Sequence, residues 1–197
     1  MSDINLQQII EDYEKTLVFP ENKPKTLFFL CPVGLAGAGK TTVMKKLCER
    51  LSLLRISNDE IREIIKDPEH FDVATQVTGE LGRKYAKLGY SIGVDSNVSS
   101  LWNNVPFIKL VESLGAKVIW IHINPPESFI VNKFKNLVYK DTGIYKDPEH
   151  ALKELERSKQ NVKTEGIPFT CVFDTSSDDL DKQIENSVAV IQEELNK

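Results

Sequence analysis

Apolar residues along the chain fall into two alternating patterns, short continuous runs and longer stretches with a step of three or four. Continuous runs bounded by polar or Gly-containing turns read as strands buried on both faces of a parallel sheet. Such runs occur at Thr26–Cys31, Leu53–Ser57, Ser91–Asp95, Lys117–Ile123 and Thr170–Asp174. Between them the three- and four-residue spacing predicts helices over 40–52, 59–66, 70–89, 104–114, 125–139, 149–163 and 178–195. A further amphipathic helix is expected over 4–17, with Ile4, Leu6, Ile9, Ile10, Tyr13 and Leu17 on its apolar side, ended by the stretch Pro20–Pro24. Strands alternating with helices predict an α/β class in which a parallel sheet is covered on both faces.

The pentapeptide Lys-Asp-Pro-Glu-His occurs at Lys66–His70 and again at Lys146–His150. Asp as N-cap followed by Pro at the first helical position suits a helix start. Nothing around the two copies matches, so the repeat reads as reused capping chemistry rather than duplication.

Composition narrows the class. A chain of 197 residues is expected to form one domain, spanning 1–197. With 25 Lys+Arg against 29 Asp+Glu the net charge is -4, which argues against a general nucleic-acid coat built on excess cations. Cys31, Cys48 and Cys171 match neither a CxxC site nor a bridge framework, so a reducing compartment is expected. Met1-Ser2-Asp3 begins no signal peptide and the C-terminus carries no prenylation box, so the expected location is cytoplasmic. The most apolar stretch, Thr26–Gly39, contains Pro32 and three glycines and falls short of the roughly 20 residues a membrane helix needs. His70, His122 and His150 are too dispersed to form a metal site.

The most informative segment follows the first strand. Gly34-Leu35-Ala36-Gly37-Ala38-Gly39-Lys40-Thr41 fits G-x-x-x-x-G-K-[ST] and lies between an apolar strand and a helix, where a phosphate cradle must lie. Glycines let the backbone wrap so that its N–H groups face the phosphates, and the following helix adds the positive end of its dipole. Lys40 is then expected to neutralise the β- and γ-phosphates and Thr41 to ligate Mg2+, with Thr42 continuing the helix entry. A dinucleotide-binding turn is the nearest rival, since Asp59 lies about 20 residues on. The G-x-G-x-x-G pattern is not met, however, because Gly37-Ala38-Gly39 is followed by Lys-Thr-Thr. A GTPase would show Asn-Lys-x-Asp, whereas the chain has Asn132-Lys133-Phe134-Lys135. A large motor or AAA ATPase would need more chain and an acidic pair ending the third strand, which instead ends in Asp95 followed by Ser96.

From Thr26 to Lys197 the chain resembles the small P-loop kinases related to phage polynucleotide kinase, zeta toxins, chloramphenicol phosphotransferase and gluconate kinase. The resemblance rests on Gly34–Thr42, on Ser57-Asn58-Asp59-Glu60-Ile61-Arg62 and on Asp95-Ser96-Asn97. It implies a three-layer P-loop NTPase fold with sheet order 2-3-1-4-5, and phosphoryl transfer from ATP, with Mg2+, to the hydroxyl of an acceptor. A small molecule is the expected acceptor. A nucleic-acid 5′-hydroxyl or a nucleotide sugar, as in a toxin-like kinase, and a nucleotide-binding switch remain as alternatives.

Within that frame Asp59, at the C-terminal end of the second strand, is placed to take the acceptor's proton, its competing role being to cap a helix beginning at Glu60. Arg62, one turn on, is placed to grip the acceptor, or else to pair with Asp59 or Glu63. Asp95 ends the third strand where a Walker B acid holds Mg2+ through water. The candidate lid is 131–149, with Lys133, Lys135, Lys140 and Asp141-Thr142-Gly143; where the family supplies arginines this chain has lysines, and Lys133 is the preferred catalytic one. Thr175, in Asp174-Thr175-Ser176-Ser177, is expected near the adenine by resemblance, with Ser177 or Asp178 as a competing helix cap. Gln76, Arg83 and Lys84 read as a solvated helix face, Trp102 as a loop anchor and Trp120 as core.

Overall fold

The computed structural model describes residues 5–139 and 145–197. Helix α1 (Leu6–Glu14) starts where Asn5 accepts from the Gln8 amide, and it buries Ile9, Ile10 and Tyr13. Strand β1 (Phe28–Val33) is buried at every position. It begins two residues later than the apolar run and extends through Pro32. That proline is tolerated because its carbonyl turns to the side of the third strand and accepts from Val98 at 3.2 Å, beyond the last residue pair with that strand. The missing N–H points the same way, so no ladder bond is lost.

The chain continues through α2 (Lys40–Arg50), β2 (Leu54–Ser57), α3 (Asn58–Ile65), a 3-10 turn at Pro68–His70, α4 (Val73–Lys87) and β3 (Ile92–Asp95). A second 3-10 turn, Ser99–Leu101, leads to α5 (Val105–Ser113), β4 (Lys117–Ile123), α6 (Glu127–Asn136), α7 (Pro148–Asn161), β5 (Phe169–Phe173) and α8 (Leu180–Asn196). The strands pair in parallel in the order β2-β3-β1-β4-β5, as expected.

Alternate residues of β1 serve opposite layers, as the two-residue period of a strand demands. Phe28 and Leu30 join Val43, Met44, Leu47, Ile130, Phe134, Leu155 and Ile191, so α2, α6, α7 and α8 cover one face. Phe29, Cys31 and Val33 join Ile10, Tyr13, Ile61, Val77, Leu81 and Trp120, and α1, α3 and α4 cover the other. Trp102 stands edge-on to Trp120 at 5.7 Å between ring centroids, anchoring its loop. Among the described residues no helix is long and apolar enough to cross a membrane.

Both copies of the repeated pentapeptide cap. Asp67 accepts from the Glu69 amide and Asp147 from the His150 amide. The first copy opens only the 3-10 turn, so α4 begins at Val73 rather than at 70. Neither Ser177 nor Asp178 caps α8: the N-cap position is Asp179, whose carboxylate is engaged by Ser177 and Gln183 side chains instead.

Gly93 in β3 is required by close packing rather than by backbone conformation. A Cβ there would stand 2.2 Å from Cys48 Sγ and 3.3 Å from Met44 Cε on α2. Gly93→Ala is expected to lower stability by about 1–3 kcal/mol. The shift in urea midpoint at unchanged slope measures it, and adding Cys48→Ala should recover part of the loss.

Candidate active site

Strand β1 ends at Val33 and the chain turns through Gly34–Gly39 into α2. Gly39, at the N-cap of α2, has φ +92°, a left-handed conformation that glycine adopts without strain. At Gly34 space decides, since a Cβ would meet the Ile123 carbonyl oxygen at 2.5 Å. The loop is thereby wrapped tightly against β4. Lys40 folds back over it, its ammonium donating to the carbonyls of Gly34 at 3.0 Å and Leu35 at 2.7 Å. Burial lowers the Lys40 pKa to about 8, the Lys133 charge works in the same direction, and the Asp59 and Asp95 carboxylates oppose both.

Thr41, in the first turn of α2, donates its hydroxyl to Asp95 Oδ1 at 3.1 Å. Asp95 is the last residue of β3 and only 3% exposed. Burial raises its pKa, while Arg55 and the Thr41 hydroxyl pull it down. Arg55, from β2, donates to Asp95 Oδ2 at 2.5 Å and also engages Glu60. A hydroxyl and a carboxylate oxygen side by side are the hard donors that suit Mg2+ and not a softer metal. Among the described residues no group of three or more His, Cys, Asp or Glu side chains gathers as a self-sufficient metal site, so phosphate oxygens would have to complete this one.

The parallel register pairs Ser57 with Asp95, which sets the start of α3 beside the cradle. Ser57 holds the N-cap position and Asn58 is the first helical residue, so Asp59 does not cap a helix beginning at Glu60. Instead Asp59 lies in the first turn, where the helix dipole favours a carboxylate. It accepts from Arg62 at 3.1 Å, and both side chains remain partly exposed to the crevice. The Arg62 guanidinium lies 5.7 Å from the Phe71 ring, and its Nε is buried without a hydrogen-bond partner. The corner is fixed from below, because Asn58 is buried and bonded to Thr75 and Thr78 of α4.

From the other side, α6 brings Lys133 to the loop, donating to the Gly37 carbonyl at 3.2 Å. Tyr145 stacks edge-on against Phe134 at 5.0 Å. Burial first, then the Asp59 and Glu154 carboxylates, push the Tyr145 phenol up to about 12, with Arg62 and the Gly37 backbone acting against them. Tyr145 is therefore within electrostatic reach of Asp59 and Arg62. Lys135 points to solvent, and Lys140 with Asp141-Thr142-Gly143 lies outside the described residues. Beyond β5, Thr175 donates to the Ala38 carbonyl at 2.7 Å and its side chain packs on Gly39, so its hydroxyl braces the loop. Gln76 and Lys84 bond to Glu80 and Glu14, as a solvated face does.

Three contacts of the site escaped sequence reasoning. Arg55 carried a signal, a lone charge within a short buried strand. Ser158 of α7, whose hydroxyl accepts from the Ala36 amide at 3.0 Å, carried none. Asn97, which accepts from the Gly34 amide at 3.5 Å, lay within a quoted motif without a role.

A family model described as an AAA domain matches residues 29–161. No curated protein matches the chain by sequence. Similar solved structures include a sugar kinase from Janibacter sp. HTCC2649, at 14% identity over 84% of this chain and 95% of that one, with a TM-score of 0.57. A gluconokinase from Sinorhizobium meliloti 1021 is 15% identical over 86% and 95% of the respective chains, with a TM-score of 0.56. A structure from the PezAT chromosomal toxin–antitoxin system of Streptococcus pneumoniae is 13% identical over 100% of both chains, with a TM-score of 0.60. These likenesses are likenesses of fold, and the fold is the three-layer α/β arrangement of small P-loop kinases.

The lowered Lys40 pKa fixes the sign of a pH effect. Polyphosphate binds the charged lysine, which the free protein loses as pH rises through about 8. Nucleotide affinity is therefore expected to be flat below that pH and to fall by up to about tenfold per unit above it, as binding must take up a proton. Calorimetric titration in buffers of different ionisation enthalpy measures the uptake, and Lys40→Arg, which stays charged, should abolish it.

Proposed function

The chain belongs to the AAA-domain family whose model spans residues 29–161, and from that premise we propose that it is a kinase that transfers the γ-phosphoryl group of ATP to a hydroxyl of a small molecule, with Mg2+. The observation that carries this reading is the Asp59–Arg62 pair, partly exposed across the crevice from a phosphate cradle and close enough for its carboxylate to act on Lys40. A protein that only binds or slowly hydrolyses nucleotide has no need of an acid and a guanidinium on that side.

Each role follows from what its residue can do where it stands. Gly34, Leu35, Ala36, Gly37, Ala38, Gly39, Lys40 and Thr41, at the positive end of α2 with Thr42 behind them, form the cradle that binds and orients the phosphates, with the amides of Gly34 and Ala36 engaged by Asn97 and Ser158. Lys40, released from the Gly34 and Leu35 carbonyls, neutralises charge on the transferring group. Thr41 and Asp95 hold Mg2+, which when bound screens the phosphate charge. Asp59 accepts the proton of the attacking hydroxyl as the new O–P bond forms and the bond to the ADP oxygen breaks. Arg62 orients the acceptor. Lys133, on α6, adds positive charge over Gly37, and Tyr145 helps exclude water. Thr175 binds the nucleotide side through the loop it braces.

Neighbours of this fold described as a sugar kinase and a gluconokinase support a polyhydroxylated acceptor, and the nucleotide-sugar alternative expected from the sequence is a second arm of the test. Purified protein is incubated with γ-labelled ATP and Mg2+, alone, with fractionated metabolites, with nucleotide sugars and with a 5′-hydroxyl oligonucleotide. Label is expected in a small-molecule fraction. Asp59→Ala should lower that transfer by about 10²–10⁴-fold while leaving ATP affinity intact, and Lys40→Ala should abolish turnover. Release of inorganic phosphate alone, unchanged in Asp59→Ala, would replace the kinase with a nucleotide switch.

A further inference from the structure

Arg55 is the one charged residue of β2, and it is directed at the acid of the site rather than at solvent. Its side chain is 18% exposed, and the residue pairs in register with Gly93 of β3, two positions before Asp95. One guanidinium nitrogen reaches Asp95 Oδ2 at 2.5 Å and another engages Glu60. Glu60 in turn receives the Tyr13 hydroxyl at 3.5 Å, and that same hydroxyl accepts the Ser57 amide at 2.8 Å. Tyr13 belongs to α1, ahead of the matched residues 29–161. Both oxygens of Asp95 are therefore taken, Oδ1 by the Thr41 hydroxyl and Oδ2 by a cation fixed from behind.

We infer that Arg55 is a positioning residue that half-neutralises Asp95, so that the Thr41–Asp95 pair takes up a divalent cation only together with the phosphates of a nucleotide. The inference rests on the reading of Thr41 and Asp95 as the metal-holding pair. A divalent ion arriving at the Thr41 hydroxyl meets a fixed unit charge of its own sign a few ångströms away. In a partly buried site that repulsion outweighs the orienting benefit of the ion pair. The phosphates supply the missing negative charge, so the metal enters with its nucleotide. Meanwhile the arginine keeps the buried carboxylate from standing unpaired in the free protein, a situation that would be strongly destabilising. Glu60 and, through it, α1 hold the guanidinium in place, which ties the N-terminal helix to the metal acid.

Mn2+ serves as the probe, its free concentration followed by electron paramagnetic resonance during titration of the full chain, without nucleotide and with ADP. The wild-type protein should bind Mn2+ weakly alone and much more tightly with ADP. Arg55→Gln and Arg55→Met should raise affinity for Mn2+ alone, on the order of tenfold, whereas Arg55→Lys, which keeps the charge, should stay near wild type. If the neutral Arg55 variants do not fold, Glu60→Gln decides: it leaves the guanidinium charge on Asp95 alone and should weaken Mn2+ binding, and an unchanged or tighter value overturns the inference. Asp95→Asn separates the two levels. If it leaves Mn2+–ADP binding intact, the metal reading itself fails. If it abolishes that binding while Arg55→Gln holds Mn2+ alone no better than wild type, the role of Arg55 is refuted and the metal reading stands.

Discussion

The parallel pairing of β1 with β3, and of β3 with β2, is the constraint on which the rest of the molecule depends. Parallel strands all finish at one edge of the sheet, so the turns that follow them crowd a single crevice. The register then sets the details. Ser57 opposite Asp95 aligns the ends of β2 and β3, and β1 beside them turns through the glycines into α2. Lys40, Asp59 and Asp95, scattered along the sequence, meet because three hydrophobic strands run the same way. The chemistry is a by-product of how the core is closed.

Gathering charge at a buried edge has a cost that the surrounding contacts offset. Asp95 is covered, and its negative charge is met by Arg55 and Thr41. Lys40 is partly covered and is met by loop carbonyls and two distant carboxylates. Asn58, with no charge, ties the corner of α3 to α4 and so keeps the Asp59 backbone from following its side chain. Among the described residues every buried side-chain nitrogen or oxygen has a hydrogen-bond partner except Arg62 Nε. Polar groups on this edge thus restrain one another, while the apolar layers above and below carry the folding free energy.

Much of the fold was legible because its signals are local. Apolar runs located the strands to within one or two residues, and the Gly34–Thr41 motif placed the cradle without any knowledge of the sheet. Sheet order came from resemblance, since nothing in a run such as Lys117–Ile123 says which strand lies beside it. Errors arose where competing local rules balanced. The first strand was read as ending at Cys31, ahead of the Gly-rich turn, yet β1 runs on through Pro32, whose missing donor faces a side with no ladder to complete. Asp59 was read as a possible cap when the helix had already begun at Asn58. Ser158, Tyr145 and Thr175 approach the loop from distant parts of the chain, and only the folded arrangement of α7 and β5 brings them there.

Those late contacts have a consequence for how the molecule is made. The loop at Gly34–Thr41 precedes by far the residues that brace it, since its carbonyl at Ala38 is met by Thr175 and its amide at Ala36 by Ser158. The helix behind it is pinned by Lys46 and Arg50 to Asp181 and Glu185 of α8. A nascent chain that stops short of these residues holds the whole cradle motif without the walls that shape it. The shape of the cradle therefore depends on side chains that lie 122 and 137 residues further along the chain than the backbone groups they meet.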